Sequence, residues 1–366
     1  MDRSRLHELS ERGQSVWIDS LSRQWLRDGT LDKLMQKDAV VGVTSNPTIF
    51  QKALSEGDWY NEQLRELNGE NDVREVFWQL AVRDIQEALD RLRPVWDEGA
   101  GLKGYVSLEV DPDLAYEQEA TIEQALRLHE WVDRPNLYVK IPATEPGLGA
   151  IEECIARGRS INVTLIFSLE RHAAVAESYI RGLERLVESG GDPTGVASVA
   201  SFFVSRVDTE ADKRLDAAGH PELKGKLAVA NAKLAYQRYK EIFSGERWER
   251  LEALGATKQW CLWASTSTKT PEYRDVLYVE ELIGPETVNT MPLETIEAFQ
   301  DHGVVADTLE RDVEAARKVF EKVAKAGVDY DDVTDTLERE GVQKFSDSFA
   351  DLLEDIRAKQ RELVSA

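Results

Sequence analysis

Short apolar segments recur along the chain, and longer segments with helical periodicity separate them. There are eight such segments, each rich in β-branched or aromatic residues. Runs this apolar are typical of parallel strands covered by helices on their outer face, because such strands are buried on both sides. The segments are SVWIDS (15–20), AVVGVTS (39–45), GYVSLEV (104–110), NLYVKIPA (136–143), SINVTLIF (160–167), GVASVASFF (195–203), KQWCLWAS (258–265) and ETVNTMP (286–292).

The segments between these predicted strands read as helices. In residues 171–191, for example, apolar positions form one stripe and a Gly-Gly pair supplies a C-terminal stop. Extra helical sequence is expected in the connections at residues 51–99 and 207–257. The last part of the chain also predicts a helix, and its apolar stripe should pack on the body of the protein. That stripe consists of Phe345, Phe349, Leu352 and Ile356.

Alternating strands and helices predict a parallel sheet, and eight repeats favour a closed barrel over an open sheet. The predicted fold is therefore α/β, a (β/α)8 or TIM barrel with extra helices and a C-terminal helix packed on it. Neither a linker-like tract nor an internal sequence repeat marks a boundary. We expect one barrel domain over residues 1–366.

Composition narrows the class of protein. No apolar run approaches the roughly 20 residues that a membrane helix needs, and the N-terminal sequence does not resemble a secretion signal. With only two cysteines, Cys154 and Cys261, a disulfide framework is excluded, and a cytoplasmic location is expected. The formal net charge of -23 argues against nucleic acid as a partner. An anionic ligand would need a locally basic pocket.

Polar residues interrupt the predicted strands near their C-terminal ends, where barrels of this kind place their chemistry. Residues two apart in a strand share a face, so Ser107 and Glu109 point the same way, and so do Asn162 and Thr164. The polar positions are Asp19, Ser45, Asn46, Ser107, Glu109, Lys140, Asn162, Thr164, Ser201, Ser265 and Asn289.

Lys140 lies within the apolar run LYVKIPAT and has two interpretations. A strand-end lysine can extend its ammonium group to water and serve no chemical purpose. Alternatively, burial favours the neutral amine, which is the nucleophilic form, and Asp19 and Glu109 occupy equivalent late positions in other strands. The second interpretation predicts Schiff-base carbonyl chemistry. No two of the five histidines have metal-ligand spacing, which disfavours a zinc-dependent aldolase.

Six motifs on separate predicted strands together resemble the transaldolase family. They are GVTSNPTIF, VSLEVDP, YVKIPAT, INVTLIFS, ASFFVSRVD and WASTSTKTPEY, in that order along the chain. The longer seventh-strand motif is similar to bacterial stand-alone transaldolases and to the transaldolase half of fusions with glucose-6-phosphate isomerase. The resemblance implies a Schiff-base transferase of the non-oxidative pentose phosphate pathway that acts on sugar phosphates and needs no metal or organic cofactor.

The resemblance also implies roles for individual residues. Lys140 would form the Schiff base, Asp19 would act at the C4 hydroxyl, and Glu109 would work with Thr164 through a water molecule. Phe203 would shape the site, and Arg206 would bind the substrate phosphate, aided by Lys269 in place of a second arginine. The remaining substrate-binding residues would be Asn46, Asn162, Ser201 and Ser265.

Several alternatives stay open at this point. Ser265 and Ser267 compete for one family serine position, because the loop after the seventh strand is longer than usual. An aldolase that releases free dihydroxyacetone is the nearest rival function, and a non-catalytic sugar-phosphate-binding barrel is the other. The oligomeric state, monomer or homodimer, is not fixed by the sequence.

Overall fold

A computed structural model describes residues 4–365. Eight parallel strands form a closed barrel in which the order in space follows the order in the chain. Each of the eight predicted segments coincides with one strand, although the first strand starts at Gln14, one residue before its segment, so the predicted barrel is confirmed. The strands are β1 (Gln14–Ile18), β2 (Val40–Val43), β3 (Tyr105–Glu109), β4 (Leu137–Pro142), β5 (Ile161–Ile166), β6 (Ser198–Phe203), β7 (Trp260–Ala264) and β8 (Thr287–Met291).

Helices connect the strands and surround the barrel. The predicted extra helical sequence forms three helices between β2 and β3 and three between β6 and β7. In the described part of the chain the helices are α1 (Arg5–Glu11), α2 (Arg23–Asp28), α3 (Thr30–Lys37), α4 (Pro47–Ser55), α5 (Asn61–Glu66), α6 (Val73–Glu98), α7 (Gln118–Val132), α8 (Glu145–Ala156), α9 (Leu169–Glu188), α10 (Ser205–Ala217), α11 (Leu227–Ile242), α12 (Glu246–Glu252), α13 (Leu277–Glu280), α14 (Leu293–His302), α15 (Val313–Lys325) and α16 (Tyr330–Ser365).

Polar caps start several helices just beyond the C-terminal ends of strands. Asn46 accepts a hydrogen bond from the Ile49 amide at the start of α4, and Thr144 and Ser168 cap α8 and α9 in the same way. Such caps satisfy amide groups that have no partner inside the helix. The strand-to-helix turns are thereby fixed at the mouth of the barrel where polar residues were predicted.

The interior of the barrel is filled by aromatic rings below this mouth. Tyr138 on β4 lies 4.0 Å from Tyr105 on β3 and 6.1 Å from Trp17 on β1, measured between ring centroids. Gly42 on β2 leaves room for Trp17, since a Cβ there would lie 2.3 Å from the indole ring. Because Lys140 is two residues beyond Tyr138, it projects into the same interior, closer to the mouth.

The C-terminal helix α16 packs across the body as predicted. Phe349 inserts its ring next to Phe77 and Trp78 of α6, with a centroid distance of 5.1 Å to Phe77. All four residues of the predicted apolar stripe are buried. The helix also contacts α4, α10 and β5, which places it beside the mouth of the barrel.

Candidate active site

Lys140 is buried on β4, with 4% of its surface exposed. Its Nζ donates a hydrogen bond to the Ser45 carbonyl oxygen at 3.2 Å and lies 3.2 Å from Glu109 Oε2. Strand register explains the second contact, because Lys140 is directly opposite Glu109 on β3. The ammonium group is therefore held by partners that lie far away in sequence.

Glu109 is almost completely buried beside the lysine. Burial raises the pKa of Glu109 above its ordinary value, and the positive charge of Lys140 opposes that rise. The carboxylate lies beside Lys140 without lining the open part of the cavity. It can exchange a proton with the amine over a single contact.

Asp19 follows β1 directly and lines the same cavity as Lys140. Its Oδ1 accepts a hydrogen bond of 2.7 Å from the Thr44 hydroxyl, which also contacts the Thr290 hydroxyl at 2.7 Å. Burial raises the pKa of Asp19, whereas the Thr44 hydrogen bond and the charge of Lys140 act in the opposite direction. Two carboxylates with raised pKa values thus accompany one amine.

A chain of side-chain hydrogen bonds runs across three strands next to Lys140. Ser201 donates to Asn162 Oδ1 at 2.7 Å, and Asn162 Nδ2 donates to the Ser107 hydroxyl at 2.9 Å. Asn162 is fully buried and does not line the cavity, whereas Ser201, Thr164 and Asn46 do. Thr164 Oγ1 has no hydrogen-bond partner among residues 4–365. Its hydroxyl is available to a ligand or to water.

The outer part of the cavity is basic. Arg206, in the first turn of α10, places its guanidinium carbon 5.0 Å from the centroid of the Phe203 ring. Burial lowers the pKa of Arg206, and the negative charges of Asp19 and Glu109 oppose this. Lys269 extends from the segment between β7 and β8 and donates a 2.7 Å hydrogen bond to the Ser267 hydroxyl. An anionic group fits this end of the cavity.

The structure brings the two competing serines to the same cavity. The Ser265 hydroxyl lies 2.9 Å from that of Ser205 on α10, and Ser265 adopts a positive φ of 56°. Ser267 instead contacts Lys269. Ser265 thus adopts a left-handed conformation that costs energy in a residue other than glycine, at the start of the segment whose Ser267 and Lys269 line the same cavity.

Most of the predicted site residues share one cavity of about 240 Å³. Glu109 and Asn162 lie immediately behind its wall. The predicted residues that line it are Asp19, Asn46, Lys140, Thr164, Ser201, Phe203, Arg206, Ser265 and Lys269.

Comparison with known proteins agrees with this geometry. The family model for transaldolase/fructose-6-phosphate aldolase matches residues 16–356. The chain belongs to this family. It is 54% identical to the transaldolase of Frankia alni over 353 residues, which is 95% of each chain. It is 50% identical to the transaldolase of Mycobacterium bovis over 359 residues, or 96% of each chain, and 49% identical to transaldolase 2 of Streptomyces coelicolor over 363 residues, or 98% of each chain.

Sequence reasoning missed several residues of this family member's cavity. Thr44 and Thr290 are not among the predicted site residues, although both are polar positions at the mouth of the barrel. Lys344 directly precedes Phe345, the first residue of the apolar stripe of α16. Its position next to a residue expected to be buried was the signal that could have identified it. The missed residues that line the cavity are Thr44, Ala264, Thr290, Pro292, Glu294, Lys344 and Phe345.

Two broader features of this family member concern metals and membranes. Within residues 4–365, no three or more His, Cys, Asp and Glu side chains cluster in a way that could hold a metal ion. No helix in the described part of the chain has the length and apolar character that crossing a membrane requires.

Proposed function

We propose that this protein is a transaldolase that moves a dihydroxyacetone unit from a ketose phosphate to an aldose phosphate through a Schiff base on Lys140. The observation that carries the proposal is the 3.2 Å contact between Lys140 Nζ and Glu109 Oε2, beside a cavity that Asp19 also lines. Donors would be sedoheptulose 7-phosphate or fructose 6-phosphate. Acceptors would be glyceraldehyde 3-phosphate or erythrose 4-phosphate.

The first step forms the imine. Only the neutral amine can attack a carbonyl carbon, so the Lys140 ammonium needs a proton acceptor. Glu109 is in contact with it, and its raised pKa makes it a better acceptor than an ordinary carboxylate. Attack of Nζ on C2 gives a carbinolamine, whose hydroxyl leaves as water after it receives a proton from Glu109. A water molecule held by Glu109 and the Thr164 hydroxyl would carry that proton.

The second step breaks the bond between C3 and C4. Asp19 accepts the proton of the C4 hydroxyl, the C4 carbonyl forms, and the electron pair of the broken bond flows into the protonated imine. The aldose phosphate then leaves, and the three-carbon unit remains on Lys140 as an enamine. Thr44 orients the Asp19 carboxylate through its 2.7 Å hydrogen bond, so Asp19 Oδ2 is the oxygen free to take the proton.

Polar side chains hold the hydroxyl groups of the donor. The Ser201 hydroxyl and the Asn46 amide reach the cavity. Asn162 would act through Ser201, because both of its polar atoms are already used inside the barrel wall. Arg206 would bind the phosphate with the planar donor geometry that suits phosphate oxygens.

Transfer requires that the enamine survive until an acceptor arrives. The C-terminal helix α16 supplies Phe345 to the cavity wall, where this side chain is 4% exposed. Exclusion of water by such a cover limits premature hydrolysis of the imine. Reversal of the cleavage step with a different aldose phosphate then completes the transfer.

The competing function is release of free dihydroxyacetone, and product analysis separates the two. The protein is incubated with fructose 6-phosphate alone and with erythrose 4-phosphate added. A transaldolase forms sedoheptulose 7-phosphate and releases little dihydroxyacetone. Equal release of dihydroxyacetone with and without acceptor would favour the aldolase, and absence of every product would favour a binding protein. Lys140→Arg is the inactive control.

Location, assembly and domain organisation complete the proposal. Cys154 and Cys261 are both buried and free, which suits a reducing cytoplasm. The catalytic and binding residues all come from one copy of the chain, so either a monomer or a homodimer could be active. The barrel and its surrounding helices would act as one domain over residues 1–366.

A further inference from the structure

The C-terminal helix α16 brings a lysine to the basic end of the cavity. Lys344 and its neighbour Phe345 both line the cavity that contains Lys140 and Arg206. Gly341, one turn earlier, allows this approach because a Cβ there would lie only 3.0 Å from a methyl group of Leu165 on β5. The close packing of helix on strand thus fixes where Lys344 is presented.

The charges around Lys344 differ from those elsewhere on the surface. Arg206, Lys269 and Lys344 line one cavity, and none of the three has an ion-pair partner within 4.0 Å in the part of the chain that the structure describes. The positive charge of Arg206 is the main cause that lowers the pKa of Lys344, followed by burial and the charge of Lys269. Mutual repulsion of this kind is relieved when an anion binds between the cations.

This arrangement is unusual in so acidic a chain. The protein has 68 acidic and 45 basic residues. Other cations near this cavity form ion pairs with carboxylates. Arg214 of α10, for example, contacts both Glu210 and Asp332. Asp19 and Glu294 also line the cavity, and the charge of Asp19 acts on Arg206, but neither carboxylate lies within 4.0 Å of the three cations in the part of the chain that the structure describes. Cations without a contacting carboxylate, where carboxylates are abundant, indicate an anionic ligand.

We propose that Lys344 is a phosphate-binding residue, so that α10, the segment between β7 and β8, and α16 each contribute one cation to the phosphate of the substrate. The inference rests on the proposed function, because it assumes a sugar phosphate in the cavity. It adds a role for α16. The helix that covers the enamine also binds the phosphate, and an occupied phosphate site stabilises the cover.

The test compares Lys344→Gln, Lys344→Arg and a matched control, Lys325→Gln. Lys325 is an exposed lysine near the end of α15 that does not line the cavity. The KM and kcat for fructose 6-phosphate are measured together with the inhibition constant for inorganic phosphate. Lys344→Gln should raise the KM and the phosphate inhibition constant by about threefold to tenfold each, with kcat within about twofold of wild type. Lys344→Arg keeps the charge and should lose less phosphate affinity than Lys344→Gln, whereas Lys325→Gln should resemble wild type.

A binding measurement keeps the inference separate from the chemistry. Protection of the protein by inorganic phosphate against thermal unfolding requires no turnover, and it should be smaller in Lys344→Gln than in wild type. Borohydride trapping with unphosphorylated dihydroxyacetone tests the Schiff base independently of any phosphate. Unchanged phosphate protection and unchanged KM in Lys344→Gln would overturn the role of Lys344, even if trapping succeeds. Equal losses in Lys344→Gln and Lys325→Gln would also overturn it.

Discussion

Buried charges in this protein serve two different purposes at the residue scale. Arg23 donates to Asp84 at 2.7 Å, Tyr60 donates to the other Asp84 oxygen at 2.8 Å, and the cluster is closed on all sides. It ties α2 and the residue that precedes α5 to α6. Lys140 and Glu109 form the other kind of pair, because their contact lies beside an open cavity. A pair of this kind can exchange a proton during a reaction.

Replacement of Asp19 by asparagine tests the proton-transfer role. Asparagine can still accept a hydrogen bond from Thr44, but it cannot take the C4 hydroxyl proton. We expect Asp19→Asn to form the Schiff base and to lower kcat by about 10²–10⁴. Steady-state kinetics with borohydride trapping provides the measurement. Wild-type turnover in this variant would remove Asp19 from the mechanism.

Thr44→Val should move the pH dependence of the reaction. The hydrogen bond from Thr44 stabilises the ionised form of Asp19, so its loss raises the pKa of Asp19 further. The base must be ionised to work, and the acidic limb of kcat/KM should therefore move to higher pH. Thr295→Val, at a buried threonine of α14 outside the cavity, is the control. A shift to lower pH, or equal shifts in both variants, would refute the assignment.

At the element scale, the basic end of the cavity depends on how the segment between β7 and β8 is fixed to α10. Tyr273 donates to Asp212 at 2.6 Å, and Tyr278 donates to Asp208 at 2.9 Å. Both carboxylates lie on the helix whose first turn contains Arg206. These two contacts fix the segment that contains Lys269 against the helix that contains Arg206.

Loss of Arg206 should weaken phosphate binding. Arg206→Ala removes a charge-assisted contact from a half-buried position, and we expect the KM for fructose 6-phosphate to rise at least about tenfold, or roughly 1.5–3 kcal/mol. Lys269→Ala should have a smaller effect, because Lys269 is exposed to water. If both variants fold and keep the wild-type KM, the phosphate binds elsewhere.

The contact of Asp208 with Tyr278 predicts a pH-dependent stability. Burial raises the pKa of Asp208 from 3.8 to about 7. The folded state therefore holds a proton that the unfolded state releases, and the free energy of unfolding falls as the pH rises from about 4 to about 7. Asp208→Asn removes this titration. As the pH rises from 5 to 8, the free energy of unfolding of the variant should increase by about 1–3 kcal/mol relative to that of wild type. Denaturant unfolding at each pH provides the measurement. Identical pH dependence in both proteins would contradict this prediction.

At the scale of the whole molecule, the barrel could be predicted because its strands are buried on both faces. Six of the eight strands are buried at every position, so each appears in the sequence as a mainly apolar segment with one or a few polar interruptions. Site residues on those strands, such as Lys140 and Thr164, could be predicted because the strands around them are apolar. A polar residue inside such a run is conspicuous.

Residues outside the strands could not be placed in this way. Lys344 is separated from Arg206 by more than 130 residues of sequence, and only the packing of α16 on β5 brings the two to one cavity. The contact of Lys140 with the Ser45 carbonyl likewise depends on how β2 ends. Long side chains and loop ends are positioned by tertiary packing, which local patterns do not encode.

Net charge is also a property of the whole molecule. The formal charge of -23 creates a field that repels a sugar phosphate. Arg206, Lys269 and Lys344 give the cavity the locally basic end that an anionic ligand requires, within an acidic surface.

Borohydride trapping tests the central claim, the Schiff base on Lys140, most directly. The intact protein is incubated with fructose 6-phosphate and borohydride, and mass spectrometry of its peptides locates the adduct. We expect a reduced dihydroxyacetone unit, or the intact donor sugar, on the peptide that contains Lys140 and on no other. Lys140→Arg keeps the charge and should give neither adduct nor turnover, whereas Lys325→Arg should behave as wild type. An adduct on another lysine, or transfer activity in Lys140→Arg, would contradict the account.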